Sequence, residues 1–128
     1  MSKIIKLLPL QEIFIDYTKG SRTHFRMRCN VHLLDTVPSD VAGFSDLQID
    51  RDGEWRHFII APLSFTGRAE LRIFVEYIQN GVWKEATIRA DHVSQDNKEY
   101  LIDFEDYKKG DDEFDLRVKI RFVDRQNG

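Results

Sequence analysis

The chain has 128 residues, of which 41% are hydrophobic and 32% charged, and its formal charge is −3. This composition is typical of a soluble globular protein and excludes a disordered one, so we expect a single domain over residues 1–128. The acidic balance lacks the basic surplus of nucleic-acid-binding proteins, and no nucleic-acid partner is expected.

The lone cysteine and the N-terminal segment bear on the cellular compartment. Cys29 permits no internal disulfide and no cysteine-rich zinc site. Lys6 and Pro9 interrupt the apolar N-terminal run, which has no small-residue cleavage site, so no signal peptide is expected. No stretch approaches the roughly 18 uncharged apolar residues of a transmembrane segment. We therefore expect a cytoplasmic protein, with secretion by another route left open.

Alternation of apolar and polar residues predicts strands along the whole chain. In chain order the alternating runs are 12–17, 23–34, 46–50, 54–61, 71–78, 82–90, 100–107 and 114–122, and an edge strand within 3–10 would be a ninth. Turn residues between successive runs predict four hairpins, which join the first run to the second, the third to the fourth, and so on. Asn80-Gly81 is the strongest turn signal, because both residues tolerate positive φ.

The segment 35–46 is predicted to be a loop, because Pro, Gly, Ser and Asp are concentrated there. No window has a helical stripe. About eight or nine strands joined mostly by short turns predict an all-β fold, namely an antiparallel β-sandwich, with a β-barrel as the alternative. The long loop favours the sandwich, because it suggests a crossover between two sheets.

Polar faces of two predicted strands call for different interpretations. In the run 114–122, Arg117, Lys119 and Arg121 are expected to pair across a hairpin with Glu99, Asp103 and Glu105. In the run 23–34 the polar residues have no obvious acidic partner strand, although Glu12 and Asp16 are candidates; these residues are His24, Arg26, Arg28, Asn30 and His32. Such a face is either solvated surface or a site for an anion.

Two tryptophans suggest a second kind of site. Trp55 and Trp83 each follow a predicted turn at the start of a strand. An exposed indole on a β-sandwich can stack on a sugar ring, whereas core or rim packing is the alternative. The ligand-binding hypothesis therefore comprises the two tryptophans and four residues of the polar face: Trp83, Trp55, Arg26, Arg28, His24 and His32.

Acidic residues suggest a calcium site. The motif DVAGFSD (40–46) resembles the first calcium-binding loop of C2 domains, which are β-sandwiches of similar length. The resemblance implies Asp40 and Asp46 as calcium ligands, although Tyr77 and Gln79 stand where that family usually has aspartates. Asp50 and Asp52 add carboxylates in the next turn, where hairpin formation alone would also favour Asp.

Catalytic motifs are missing from the sequence: no nucleophile elbow, Walker loop, Rossmann glycine pattern or His-Glu-x-x-His appears. We expect a binding module without a cofactor, acting on another protein or on a second copy of itself as a homo-oligomer. Apolar residues left on polar faces or in loops would form that interface; they are Leu10, Phe14, Leu34, Phe44, Phe65, Phe74 and Ile78. Carbohydrate or small-ligand binding and calcium-dependent C2-like binding are the alternatives.

Overall fold

The computed structural model of the protein describes residues 3–8, 11–20, 23–35, 40–49, 56–60, 67–106 and 115–124. These residues form ten β-strands. In chain order the strands are β1 (Lys3–Leu7), β2 (Gln11–Lys19), β3 (Phe25–Leu33), β4 (Asp40–Ile49), β5 (Arg56–Ile60), β6 (Ala69–Gln79), β7 (Val82–Glu85), β8 (Thr87–Val93), β9 (Glu99–Glu105) and β10 (Leu116–Asp124). The described residues contain no helix that is long and apolar enough to cross a membrane.

Two antiparallel sheets make up the fold. Sheet 1 has the order β4-β3-β6. On the other edge of β6, β1 pairs with residues 69–73 and β7 pairs with residues 76–79. Sheet 2 has the order β5-β2-β10-β9-β8. The predicted all-β antiparallel β-sandwich is therefore confirmed. The sheets do not close on each other among the described strands, so the β-barrel alternative is wrong.

The core lies between the sheets and is built by the alternation that predicted the strands. Inward residues of β2, β3, β6 and β10 are almost fully buried, while their neighbours in sequence face outward. Met27, Leu71 and Ile120 have no exposed surface, and burying such a side chain contributes about 1.5–3 kcal/mol. Cys29 is buried at the inward position expected for it. At the rim, Lys3 of β1 forms an ion pair with Asp91 of β8, which links the edges of the two sheets.

Two of the four predicted hairpins are confirmed. β6 and β7 are joined by Asn80 and Gly81 with φ values of 54° and 77°, as a two-residue turn of the I′ kind requires. β9 and β10 also pair directly. The predicted β2–β3 and β4–β5 hairpins are wrong, because each pair is divided between the two sheets. The hairpins that form instead are β3–β4 and β8–β9.

Strand boundaries differ from the prediction at two places. The predicted loop at 35–46 is wrong over residues 40–46, because β4 begins at Asp40 and pairs with β3 along its whole length, with a register shift between Val31 and His32. Residues 36–39 lie outside the described part of the chain. The single run predicted at 82–90 is two strands. Ala86 divides it, is fully buried, and donates its backbone N–H to the Val75 carbonyl at 2.9 Å. This division takes the chain from sheet 1 to sheet 2 and brings the total from nine strands to ten.

Candidate functional site

One end of sheet 1 gathers several side chains on its outer face. Strand register places Arg26 of β3 beside Glu76 of β6 and beside Gln48 of β4. The tight β6–β7 turn then places Trp83 opposite Ile78. Since residues paired across strands share a face, these side chains project from the same side of the sheet. The Asn80-Gly81 turn is therefore what brings the indole to this surface.

Arg26 lies between a carboxylate and an aromatic ring. Its Nε is 2.6 Å from Glu76 Oε1, and its Cζ is 4.3 Å from the centroid of the Trp83 ring. A planar guanidinium can make both contacts at once, through its edge to the carboxylate and its face to the indole. Arg26 therefore covers one face of the indole and holds the ring in place.

A cavity of about 260 Å³ lies beside Trp83. It is lined by His24, Phe25, Gln48, Ile49, Ile78 and Trp83. Phe25 and Ile49 are buried, whereas His24 and Gln48 are exposed. The Ile78 N–H donates to the His24 carbonyl at 3.1 Å, which ties two walls together. The cavity thus combines an aromatic wall, an apolar inner side and two hydrogen-bonding side chains at its rim.

The structure brings together three of the predicted ligand-binding residues and places His32 away from them. Trp83, Arg26 and His24 meet at the cavity or next to it. Arg28 is the next outward residue of β3, and His32 lies near the far end of that strand. His24 and His32 are about 27 Å apart at roughly 3.4 Å per residue, so one small ligand cannot contact both. Trp55 lies outside the described residues.

The expectation that this polar face has no acidic partner is wrong. β6 supplies Glu76 to Arg26, and its Glu70 lies 3.1 Å from Arg72 on the same face. Asp16, suggested as a partner, belongs to sheet 2, where it is paired in register with Lys119. Carboxylates therefore neutralise Arg26 and Arg72, and this weakens the interpretation of the face as an anion site.

Two of the four predicted calcium ligands lie on a strand and not in a loop. Asp40 and Asp46 both lie within β4, in register with Leu33 and Arg28. Six positions along a strand span about 20 Å, whereas the C2-like interpretation places both residues in one loop; their side chains lie outside the described part of the chain. Asp50 and Asp52 lie outside the described residues. Within the described ranges, no group of three or more His, Cys, Asp or Glu residues is placed to hold a metal ion.

Sheet 2 has an outer face held together by ion pairs. Arg117 contacts Asp103 at 2.7 and 3.0 Å, and Lys119 lies 3.0 Å from Glu99, as the cross-hairpin prediction required. Two members of the predicted set have other contacts: Glu105 is 3.6 Å from Arg89, and Arg121 lies over the Phe14 ring. The bond to Asp103 raises the pKa of Arg117, which therefore keeps its charge. This face is a structural surface.

A buried polar cluster at one end of the sandwich escaped the sequence analysis. Lys19 and Asp106 are each 2% exposed. Asp106 accepts a hydrogen bond from Thr23 Oγ1 at 2.6 Å, and its own N–H donates to Asp115 Oδ2 at 2.8 Å. A signal was present in β2, where Lys19 continues the inward series of Ile13, Ile15 and Tyr17. The cluster joins the end of β9 to the residues that lead into β3, next to His24.

A second cavity, of about 420 Å³, adjoins the β8–β9 turn. Its polar groups satisfy one another: Asp96 accepts from Ser94 Oγ at 2.6 Å and from the Lys98 N–H at 3.0 Å, and Lys98 Nζ reaches Asp124 at 2.6 Å. The hydrogen bond from Ser94 lowers the pKa of Asp96, and the carboxylate of Asp124 raises the pKa of Lys98. These contacts account for the turn, and they single out no ligand.

Comparison with protein-family models, with curated proteins and with solved structures finds no match for this chain. Any function must therefore be argued from the Trp83 cavity and its surroundings.

Proposed function

We propose that this protein is a non-catalytic binding module that holds a carbohydrate, or a small ligand of similar polarity, in the cavity beside Trp83. One observation carries the proposal. On a sheet face where Arg26 and Arg72 are charge-paired, Trp83, His24 and Gln48 converge on a cavity, and among the described residues that line it there is no acidic, Lys or Arg side chain.

The chemistry of the lining suits a sugar ring. A pyranose presents C–H groups on its faces and hydroxyls around its rim. Trp83 and Ile78 offer apolar surface for the C–H groups, while His24 and Gln48 can donate to and accept from hydroxyls. At about 260 Å³ the cavity is slightly smaller than the roughly 300–1,000 Å³ of most small-molecule sites, which favours a small ligand.

The site is also organised before any ligand arrives. Arg26 is bound to Glu76 and packs on the indole, so the Trp83 ring does not have to be ordered on binding. Immobilising a rotamer-rich side chain at an interface costs about 0.5–1.5 kcal/mol, and this contact removes part of that cost. The ion pair thus supports binding without touching the ligand.

Titration with a panel of saccharides tests the proposal. The chain has two tryptophans, so a Trp55→Phe background assigns the fluorescence to Trp83. We expect a saturable blue shift with at least one saccharide and its loss in Trp83→Ala. Lys84→Ala is the matched control, because Lys84 points to Gln79 Oε1 at 3.1 Å and does not line the cavity. No response to any saccharide at millimolar concentration would contradict the proposal.

Self-association is a second candidate function. Ile4, Leu8 and Val82 are 51–56% exposed along the edge of sheet 1 that β1 and β7 form. The apolar residues predicted for an interface are less exposed than these where they are described: Phe14, Leu34, Phe74 and Ile78 are partly buried. Leu10, Phe65 and the side chain of Phe44 lie outside the described part of the chain. A stable interface buries about 800 Å² per partner, more than three such side chains supply, so this function ranks second.

Native mass spectrometry over a range of concentrations tests self-association. We expect a dimer that the Ile4→Lys, Val82→Lys double variant dissociates, because the added charges would lie in the contact. A protein that stays monomeric at high concentration would refute this function and leave the Trp83 site unaffected.

A further inference from the structure

We infer that the Trp83 cavity recognises one uncharged sugar ring at the end of a glycan, and not an internal stretch of a polysaccharide. This inference rests on the proposed function and narrows its ligand class. Three features of the described surface carry it: the covered face of the indole, the size of the cavity, and the charge of its lining.

Because Arg26 covers one face of the Trp83 indole, only one sugar ring can stack on this side chain. Arg26 Cζ lies 4.3 Å from the Trp83 ring centroid, so a ligand can stack only on the opposite face. Along the outer side of β6, the Glu76–Arg26 ion pair stands between Trp83 and the next aromatic residue, Phe74. A platform for a long saccharide needs successive aromatic faces for successive rings. Along the described part of β6, the ion pair interrupts such a row after one ring.

The size of the cavity sets the same limit. A water molecule occupies about 30 Å³ in the liquid, so 260 Å³ corresponds to roughly nine waters. That is space for one pyranose and its hydroxyls within a cavity that is open to solvent on one side. Further rings of a bound glycan would have to extend into solvent from the rim, where His24 and Gln48 are exposed.

The lining favours a neutral ring. Its described residues supply one imidazole, one amide and four apolar or aromatic side chains, with no ammonium or guanidinium among them. The nearest described guanidinium, Arg26, already has the Glu76 carboxylate at 2.6 Å. A sugar carboxylate would therefore lose its hydration beside a group whose charge is already balanced, and close to the carboxylate that balances it.

The hydrogen bonds that His24 and Gln48 can make to a sugar hydroxyl set the expected contribution of each side chain to the affinity for the sugar. Removing a side chain that bonds to a neutral ligand hydroxyl costs about tenfold in affinity, the equivalent of roughly 1.4 kcal/mol. We expect His24→Ala and Gln48→Ala each to weaken binding by about that factor. His32→Ala is the matched control, because it removes the same side chain from the same face of β3 at the other end of the strand. Its dissociation constant should match that of the unmodified protein within about twofold.

Chemical-shift titrations of the ¹⁵N-labelled protein with three ligand sets test the inference. The sets are neutral methyl glycosides, neutral oligosaccharides of two to six units that end in the same sugar, and the matching uronic acids. We expect equal dissociation constants within about threefold for the first two sets, with shifts at Trp83, His24 and Gln48 only, and binding at least tenfold weaker for the uronic acids.

The outcomes separate the inference from the function on which it rests. Affinity that rises steadily with chain length, or uronic acids that bind as tightly as neutral sugars, would overturn the terminal-ring inference and leave carbohydrate binding intact. If no saccharide of any length shifts the Trp83 indole signal, the proposed carbohydrate function fails together with the inference.

Discussion

Asp103 and Arg117 face each other across the β9–β10 hairpin and make a two-point contact, with Arg117 Nε 2.7 Å from Asp103 Oδ1 and Nη2 3.0 Å from Oδ2. Asp103 is 8% exposed although it lies on the outer face of sheet 2. On the same two strands, Lys119 and Glu99 also pair, but both of those side chains are more than a third exposed. The β9–β10 hairpin thus has one ion pair with a buried carboxylate, that of Asp103, and one ion pair whose two side chains are exposed to solvent.

Removing the sheltered carboxylate should destabilise the protein more than removing the exposed one. For Asp103→Ala we expect the free energy of unfolding to fall by about 1–3 kcal/mol, because Arg117 loses the acceptor of two hydrogen bonds. Glu99→Ala is the matched control and should cost less than about 1 kcal/mol. Urea denaturation at neutral pH measures both. Equal losses of unfolding free energy in the two variants would show that burial of the carboxylate has no effect on what the ion pair contributes.

Gly67 should be much harder to replace than Gly81. Both have positive φ, 87° and 77°, but a Cβ at Gly67 would lie 2.6 Å from Asp35 Oδ2, whereas a Cβ at Gly81 would meet nothing within 4 Å. We expect Gly81→Ala to cost about 1 kcal/mol for backbone conformation alone, and Gly67→Ala about 2–3 kcal/mol.

Thermal and urea unfolding of both glycine variants provide the measurement. The Gly67→Ala, Asp35→Ala double variant removes the closest contact, to Asp35 Oδ2, and leaves the contact to the Cβ of residue 35 at 2.9 Å, so it should lose somewhat less stability than the sum of the two single variants. Additive losses would mean that the collision is relieved in some other way.

Acid should destabilise the protein through two exposed aspartates. Hydrogen bonds from the Arg68 side chain lower the pKa of Asp35, and the Ser94 hydroxyl lowers the pKa of Asp96. A carboxyl whose pKa is lower in the folded state binds fewer protons there than in the unfolded state. The stability that it contributes is therefore present above the unfolded pKa, near 3.9, and is lost as the pH falls through the folded pKa.

Ser94→Ala isolates the cause of one of these shifts. Because Ser94 Oγ makes the hydrogen bond at 2.6 Å, its removal should bring the pKa of Asp96 up towards the ordinary range, as a ¹³C NMR titration of the carboxyl would show. The pKa of Asp35 should stay where it was, which makes it the internal control. An unchanged Asp96 titration would refute the assigned cause.

Ala86 should not tolerate a larger side chain. It has no exposed surface and lies where the chain passes from β7 in sheet 1 to β8 in sheet 2. Ala86→Leu would push additional methylene groups into a filled core, and we expect a loss of about 1–3 kcal/mol. Ala90→Leu serves as the control, since Ala90 is partly exposed on β8. A stable Ala86→Leu variant would indicate unfilled space at the crossing.

Structural features that depend on residues close together in the sequence could be predicted from the sequence. Asn80-Gly81 determines the β6–β7 hairpin by its own backbone preference, and the opposite charges of Asp103 and Arg117 fit the β9–β10 pairing. The turn residues between the runs 12–17 and 23–34 were misleading, because such residues also occur where the next strand crosses to the other sheet. Local residues do not decide between folding back and crossing over.

The candidate site was only partly predictable for the same reason. Trp83, His24 and Arg26 were singled out by residue type and by alternation. Glu76 and Gln48 were not, because their contacts depend on β6 and β4 flanking β3, and this strand order brings together residues that are far apart in sequence. The charge of the Arg26 face was misjudged because its neutralising carboxylate lies on β6.

The position of β10 in sheet 2 has a consequence for how the protein is made. β10 lies between β2 and β9 and pairs with β2 along the whole strand, so that Ile15 is opposite Ile120. During synthesis, β2 emerges from the ribosome long before β10, so the central β2–β10 pairing of sheet 2 can form only after β10 has been made. Such long-range pairing is typical of β-proteins that refold in milliseconds to seconds, and a nascent chain that stops short of Leu116 leaves the inward faces of β2 and β9 open to chaperones or aggregation.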